Sequence, residues 1–166
     1  MKPFINSGRE MPWAKVFATA LLVGTLDICL AFLSAYMQRG TMPEKVLLYA
    51  ASGVFGKPAF TGGAGTAACG LLFHYIIATC FTITIFLFYR YGLFPIKNRI
   101  ITGILAGVII WAVMQYIVVP LSQVPPRTKP PELKDIVKAA GILIIAIGLP
   151  ASLIAGKHFS LRRLKV

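Results

Sequence analysis

Apolar residues in this chain gather into four long runs, separated by short stretches that are basic or rich in glycine and proline. A run of roughly 20 apolar residues crosses a ~30 Å hydrocarbon core as a helix. The pattern predicts spans over about 15–37, 66–89, 100–121 and 135–156, all within one membrane domain covering residues 1–166. The expected fold is all-α and integral to the membrane. It is a four-helix transmembrane bundle, with a short interfacial or re-entrant helix at about 42–52 between spans 1 and 2.

Local signals refine this layout. Trp13 and Tyr36 suit the two interfaces of the first span. Thr41 and Glu44 have the spacing of a capping box and Pro43 fits an early helical position, so a short helix should begin there and end at Gly53. The glycines from Gly56 to Gly65 then read as a flexible, still apolar connection. Tyr89, Arg90 and Tyr91 form an expected interface cluster. The tight Gly92–Arg99 connection with Pro95 should make spans 2 and 3 antiparallel neighbours. Pro120 should kink span 3 by crowding the carbonyl of Tyr116, and Pro150 should bend span 4. Between these spans, Pro125, Pro126, Pro130 and Pro131 favour an extended strut.

Composition agrees with the pattern, since 57% of residues are hydrophobic and 13% are charged, which excludes an ordinary soluble domain. A net charge of +12 would suggest nucleic acid in a soluble chain. Here the 17 basic residues are spread over the two terminal tails, the connections and the ends of the spans, where the expected partner is a bilayer with anionic headgroups and no nucleic acid. Ten Lys and Arg fall on the side of the termini and seven on the other, so both termini are expected in the cytoplasm. The first run is too long for a secretory leader core. Cys29, Cys69 and Cys80 lie inside apolar runs without CxxC spacing and read as packing residues.

Asp27 is the exception within this apolar mass. A carboxylate near the middle of a span costs roughly 2.5 to 3.5 kcal/mol on insertion scales, so it needs a partner or a task. Ala20, Gly24, Asp27, Ala31, Ser34 and Ala35 share one helix face, and this small-residue stripe should meet other helices. On span 2, Ala67, Gly70, His74, Ala78 and Thr82 form a similar face, which makes His74 the natural partner and Gln115 of span 3 a possible third member. Two readings follow: a proton or ion site, or a polar tie between helices. Gly24, Gly70, Gly103, Gly107, Gly141 and Gly148 are expected at close helix contacts.

Other chemistry finds little support. No three or four ligands stand at metal spacing, no cofactor motif has its context, and no nucleophile elbow or paired carboxylates are present. Gly63-Ala64-Gly65-Thr66-Ala67-Ala68 satisfies G-x-G-x-x-A, yet no strand precedes it. The chain is therefore not expected to be an enzyme.

The order of several features resembles bacterial four-span inner-membrane proteins of the YagU-like kind. These are Asp27 in span 1, Ser52-Gly53, Gly62-Gly63, His74 in span 2, the Tyr89–Pro95 turn, Gly103 with Gly107, Pro120-Leu121 and Pro125-Pro126, over roughly 22–150. The resemblance implies a helical fold and a bacterial inner-membrane location, and carries no functional residue. The leading expectation is a non-catalytic accessory or scaffold subunit, or a homo-oligomer, within a membrane complex. The alternative is a small proton-linked transporter or conductance using Asp27 and His74.

Overall fold

The structure, a computed structural model, describes residues 10–93, 98–126 and 130–163. The expected surface tail at the N-terminus, the Pro95 turn and the last residues of the basic C-terminal tail lie outside the described residues. Among the described residues, four helices are long and apolar enough to cross a membrane. They are α1 (Trp13–Arg39), α3 (Gly63–Tyr91), α4 (Arg99–Leu121) and the stretch Leu133–Phe159, which is the body of α5. Helix α5 continues to Arg163, so His158 lies on this helix and not beyond its end as the sequence suggests. The short α2 (Pro43–Phe55) sits between α1 and α3. This is an all-α integral membrane bundle of four spanning helices.

The ends of these helices follow from local chemistry. Gly40 and Gly92 close α1 and α3 with φ of 60° and 69°, a left-handed cap that glycine adopts without a Cβ penalty. The Asn98 side chain caps α4 by accepting from the backbone N–H of Ile100 at 2.9 Å. Two expectations about α2 need correction. Its N-cap is Met42 and no side chain caps it, so Thr41 lies one residue too early for a capping box, while Pro43 takes the first turn as expected. Gly53 does not end it either, because the helix runs on to Phe55 and stops at Gly56, whose φ is +64°. The glycine-rich connection is also ordered: a 3-10 helix at Lys57–Thr61 leads almost directly into α3.

Packing is inverted relative to a soluble bundle. The interior is lined largely by small residues such as Ala20, Ala51, Ala78, Ala106, Ala146, Ala151 and Ala155. Large aliphatics such as Leu21, Leu22, Leu33, Leu72, Ile76 and Ile109 point outward. Lipid tails solvate Leu as well as a protein interior does, so close backbone approach and hydrogen bonds decide which faces turn inward. Two buried threonine hydroxyls bond locally, Thr82 donating to the Ala78 carbonyl at 2.8 Å and Thr102 to that of Asn98 at 2.9 Å.

Gly103 and Gly107 on α4 meet Ile144, Gly148 and Leu149 on α5 backbone to backbone, with no room for a Cβ at Gly148. Gly70 likewise lets α2 lie on α3, since a Cβ there would fall on the Leu47 carbonyl oxygen. Gly141 takes no part in such a contact, having no neighbour where its Cβ would be. Cys29 and Cys80 are exposed on the outer surface and are not packing residues. Tyr89 is not an interface anchor but is buried, donating to Ser152 Oγ at 2.6 Å while Ser152 donates to the Arg99 carbonyl at 3.1 Å.

Both prolines in the spans act through a π turn. Met114–Val118 precedes Pro120 and Ile144–Gly148 precedes Pro150. Proline removes one N–H and crowds the carbonyl four residues back. A wider turn around Tyr116 and Ala146 relieves that crowding without breaking the helix. The kink expected at Pro120 is thus absorbed upstream, inside the span.

The tight connection does not make spans 2 and 3 packed neighbours. Helix α4 is drawn onto α5 by the glycine contacts, while α3 packs on α1, α2 and the C-terminal part of α5. The space left between α3 and α4 is a cavity.

Candidate functional site

That cavity has a volume of about 420 Å³ and receives residues from all five helices. Phe73, Ile77 and Phe81 of α3 face Ile110, Met114 and Val118 of α4 across it, with Leu143 and Ile147 of α5 closing one side. Its π-turn residues, Met114, Val118 and Ile147, show that the widened helices shape the wall. Polar groups on this wall are few, and the strongest are Asp27 and His74.

Helices α1 and α3 bring these two together because Gly24 lets them approach. A Cβ on Gly24 would strike the Tyr75 ring at 2.8 Å. Its bare backbone leaves the carbonyl open, and His74 Nε2–H donates to that oxygen at 2.9 Å. Beside it the hydroxyls of Thr25 and Tyr75 are 2.8 Å apart, a second polar tie between the same helices. His74 Nδ1 is then 4.0 Å from an Asp27 carboxylate oxygen, each side chain 15% exposed. This separation exceeds a hydrogen bond and lies within ion-pair range.

The Gly24 bond fixes part of the proton inventory. A carbonyl only accepts, so Nε2 must carry a proton in every state that keeps this bond. Nδ1 is then left facing the Asp27 carboxylate.

Gln115 is not part of this pair. It lines a second cavity of about 460 Å³ together with Tyr49, Trp111, Tyr116 and Asp135. The two cavities share Tyr49, Val119, Ser122 and Val124 as a common wall. Pro125, Pro126 and Pro131 of the proline strut also line the second cavity, so it lies at the end where α4 finishes and α5 begins. The segment just after α4 is tied down there by the Gln123 N–H, which donates to the Gly53 carbonyl of α2 at 2.9 Å, while residues 127–129 of the expected strut lie outside the described residues. The two cavities thus lie side by side, with Asp27 and His74 on the wall of the first.

Sequence reasoning missed Tyr49, Phe73 and Phe81 on these walls and the Trp111–Tyr116 edge contact, whose ring centroids are 6.0 Å apart. Aromatic residues within apolar runs carry no periodic signal of their own, and only the helix pairing shows which of them face inward. Among the described residues, no group of three or more His, Cys, Asp or Glu could hold a metal ion. No family model matches the chain, and neither curated proteins nor solved structures give a match.

Proposed function

We propose that this chain is a small proton-linked transporter or conductance, with Asp27 and His74 as its proton-exchanging site. One observation carries the reading: an acid and an imidazole from two different spans meet on the wall of an apolar cavity. His74 and Tyr75 already tie α1 to α3 through Gly24 and Thr25, whereas Asp27 makes no direct hydrogen bond to His74 and stands 4.0 Å from it beside open space. The accessory or homo-oligomeric reading leaned on small-residue faces. Gly24, Gly70, Gly103, Gly107 and Gly148 spend those faces on contacts within the chain.

The proposed setting is a bacterial inner membrane with both termini in the cytoplasm, supported by the ten-to-seven distribution of Lys and Arg and by the family resemblance. Purified protein in liposomes loaded with a pH dye tests the function. A pH-gradient-driven proton flux that is lost in Asp27→Asn and reduced in His74→Gln supports it. No flux, or a flux unchanged in Asp27→Asn, overturns it.

A further inference from the structure

We infer that the cavity at Asp27 takes an organic monocation with an apolar body, bound in exchange for one proton of the Asp27–His74 pair. The inference rests on the proton-linked reading and adds the substrate class.

Charge distribution is the first argument. The chain carries 17 Lys and Arg against five Asp and Glu. Among the described residues, no Lys or Arg lines either cavity, while Asp27 lines one and Asp135 the other. A strongly basic protein has thus kept its described cations out of its interior spaces and placed carboxylates there. Anions and neutral lipids gain nothing from that arrangement, and a cation does.

The second argument is the state of the carboxylate itself. Asp27 has no hydrogen-bond partner among the described residues, only the imidazole at 4.0 Å. A carboxylate held in apolar surroundings needs a counter-charge or a donor. The remaining wall is largely apolar and includes the aromatic residues Tyr49, Phe73 and Phe81, a residue type that attracts a cation. A volume of about 420 Å³ suits a small organic molecule. One carboxylate and one imidazole do not make a metal ligand set.

Proton balance completes the step. With Nε2–H committed to Gly24, the pair holds one exchangeable proton and is then neutral overall. Entry of one monocation beside Asp27 expels that proton, leaving carboxylate, neutral imidazole and bound cation, again neutral overall. The titratable groups that share the cavity wall with Asp27 are His74 and Tyr49 of α2; Tyr75, next to His74 in the chain, is bonded to Thr25. Helices α4 and α5 present only Ile, Met, Val and Leu side chains to this cavity, apart from the Ser122 hydroxyl just beyond α4.

Calorimetry on the full chain in detergent tests this, with tetraphenylphosphonium as probe, empty micelles subtracted, and two buffers of different ionisation enthalpy. The expected result is saturable binding with about one proton released, and affinity rising with pH by up to about tenfold per unit. Asp27→Asn should weaken binding at least tenfold, and Asp27→Glu should retain it, which separates charge from folding. Tetraphenylborate, of the same shape and opposite charge, should not bind. Equal binding of both ions, binding without proton release, or binding unchanged in Asp27→Asn overturns the inference. Intact proton flux in liposomes without phosphonium binding removes the cation and leaves the proton-linked reading standing. Asp27-dependent binding with proton release but no flux removes the transport reading and leaves the cation site.

Discussion

Replacing Gly148 with Ala is a severe test of the packing that shapes the cavity. The new Cβ would fall on the Gly103 carbonyl oxygen and lie 2.8 Å from the Gly107 nitrogen and 3.0 Å from its Cα. Ordinary contact needs roughly 3.5 Å, so α4 and α5 must separate by something near 1 Å. A gap of about 0.5–1 Å forfeits a quarter to a half of each contact's ~0.1–0.2 kcal/mol. Over a few tens of atom pairs this reaches about 1–3 kcal/mol, the usual cost of an overpacked core. Gly141 on the same helix provides the control, because its Cβ position is open, and Gly141→Ala should be neutral or gain up to about 1 kcal/mol in helix propensity. Unfolding by SDS titration, followed by far-ultraviolet circular dichroism, measures both. Equal effects of the two substitutions would refute the backbone contact between α4 and α5.

Gly70→Val should lift α2 from α3, and a cysteine placed at fully buried Ser52 should then gain maleimide reactivity that it lacks in the parent chain. Tyr89→Phe and Ser152→Ala should each destabilise by about 0.5–1.5 kcal/mol. Their double-mutant cycle should show coupling of about 0.6 kcal/mol or more, because the 2.6 Å bond joins them directly. In intact membranes, Cys29 and Cys80 should react with a membrane-permeant maleimide and resist a charged thiol reagent, since both are exposed on spans and not in surface loops.

The spans were legible because bilayer thickness imposes a length on apolar runs that few other constraints imitate. The inward faces of α1 and α3 were legible too, since Ala20 and Gly24, and Gly70, Ala78 and Thr82, all proved buried at helical spacing. That spacing was enough to pair Asp27 with His74. What failed depended on helix pairing. The tight turn before α4 suggested contact with α3, yet chain proximity is weaker than the backbone approach that Gly103, Gly107 and Gly148 allow with α5. Gln115 is a possible third member on sequence grounds, whereas the structure places it, within a π turn, on the neighbouring cavity. The π turns themselves had a signal in Pro120 and Pro150, but a proline shows only that a helix must adjust and not how.

The proposed exchange site depends on a His74 ring whose Nε2–H is held by the Gly24 carbonyl, so that Nδ1 faces Asp27. Nitrogen-15 magnetic resonance of the histidine ring in lipid bilayers reads this directly, with His158→Gln used to assign the two histidines. The account predicts a neutral ring that carries its proton on Nε2, and ring signals that move when Asp27 is replaced by Asn. A neutral His74 ring with its proton on Nδ1, or ring signals identical in Asp27→Asn, would contradict it.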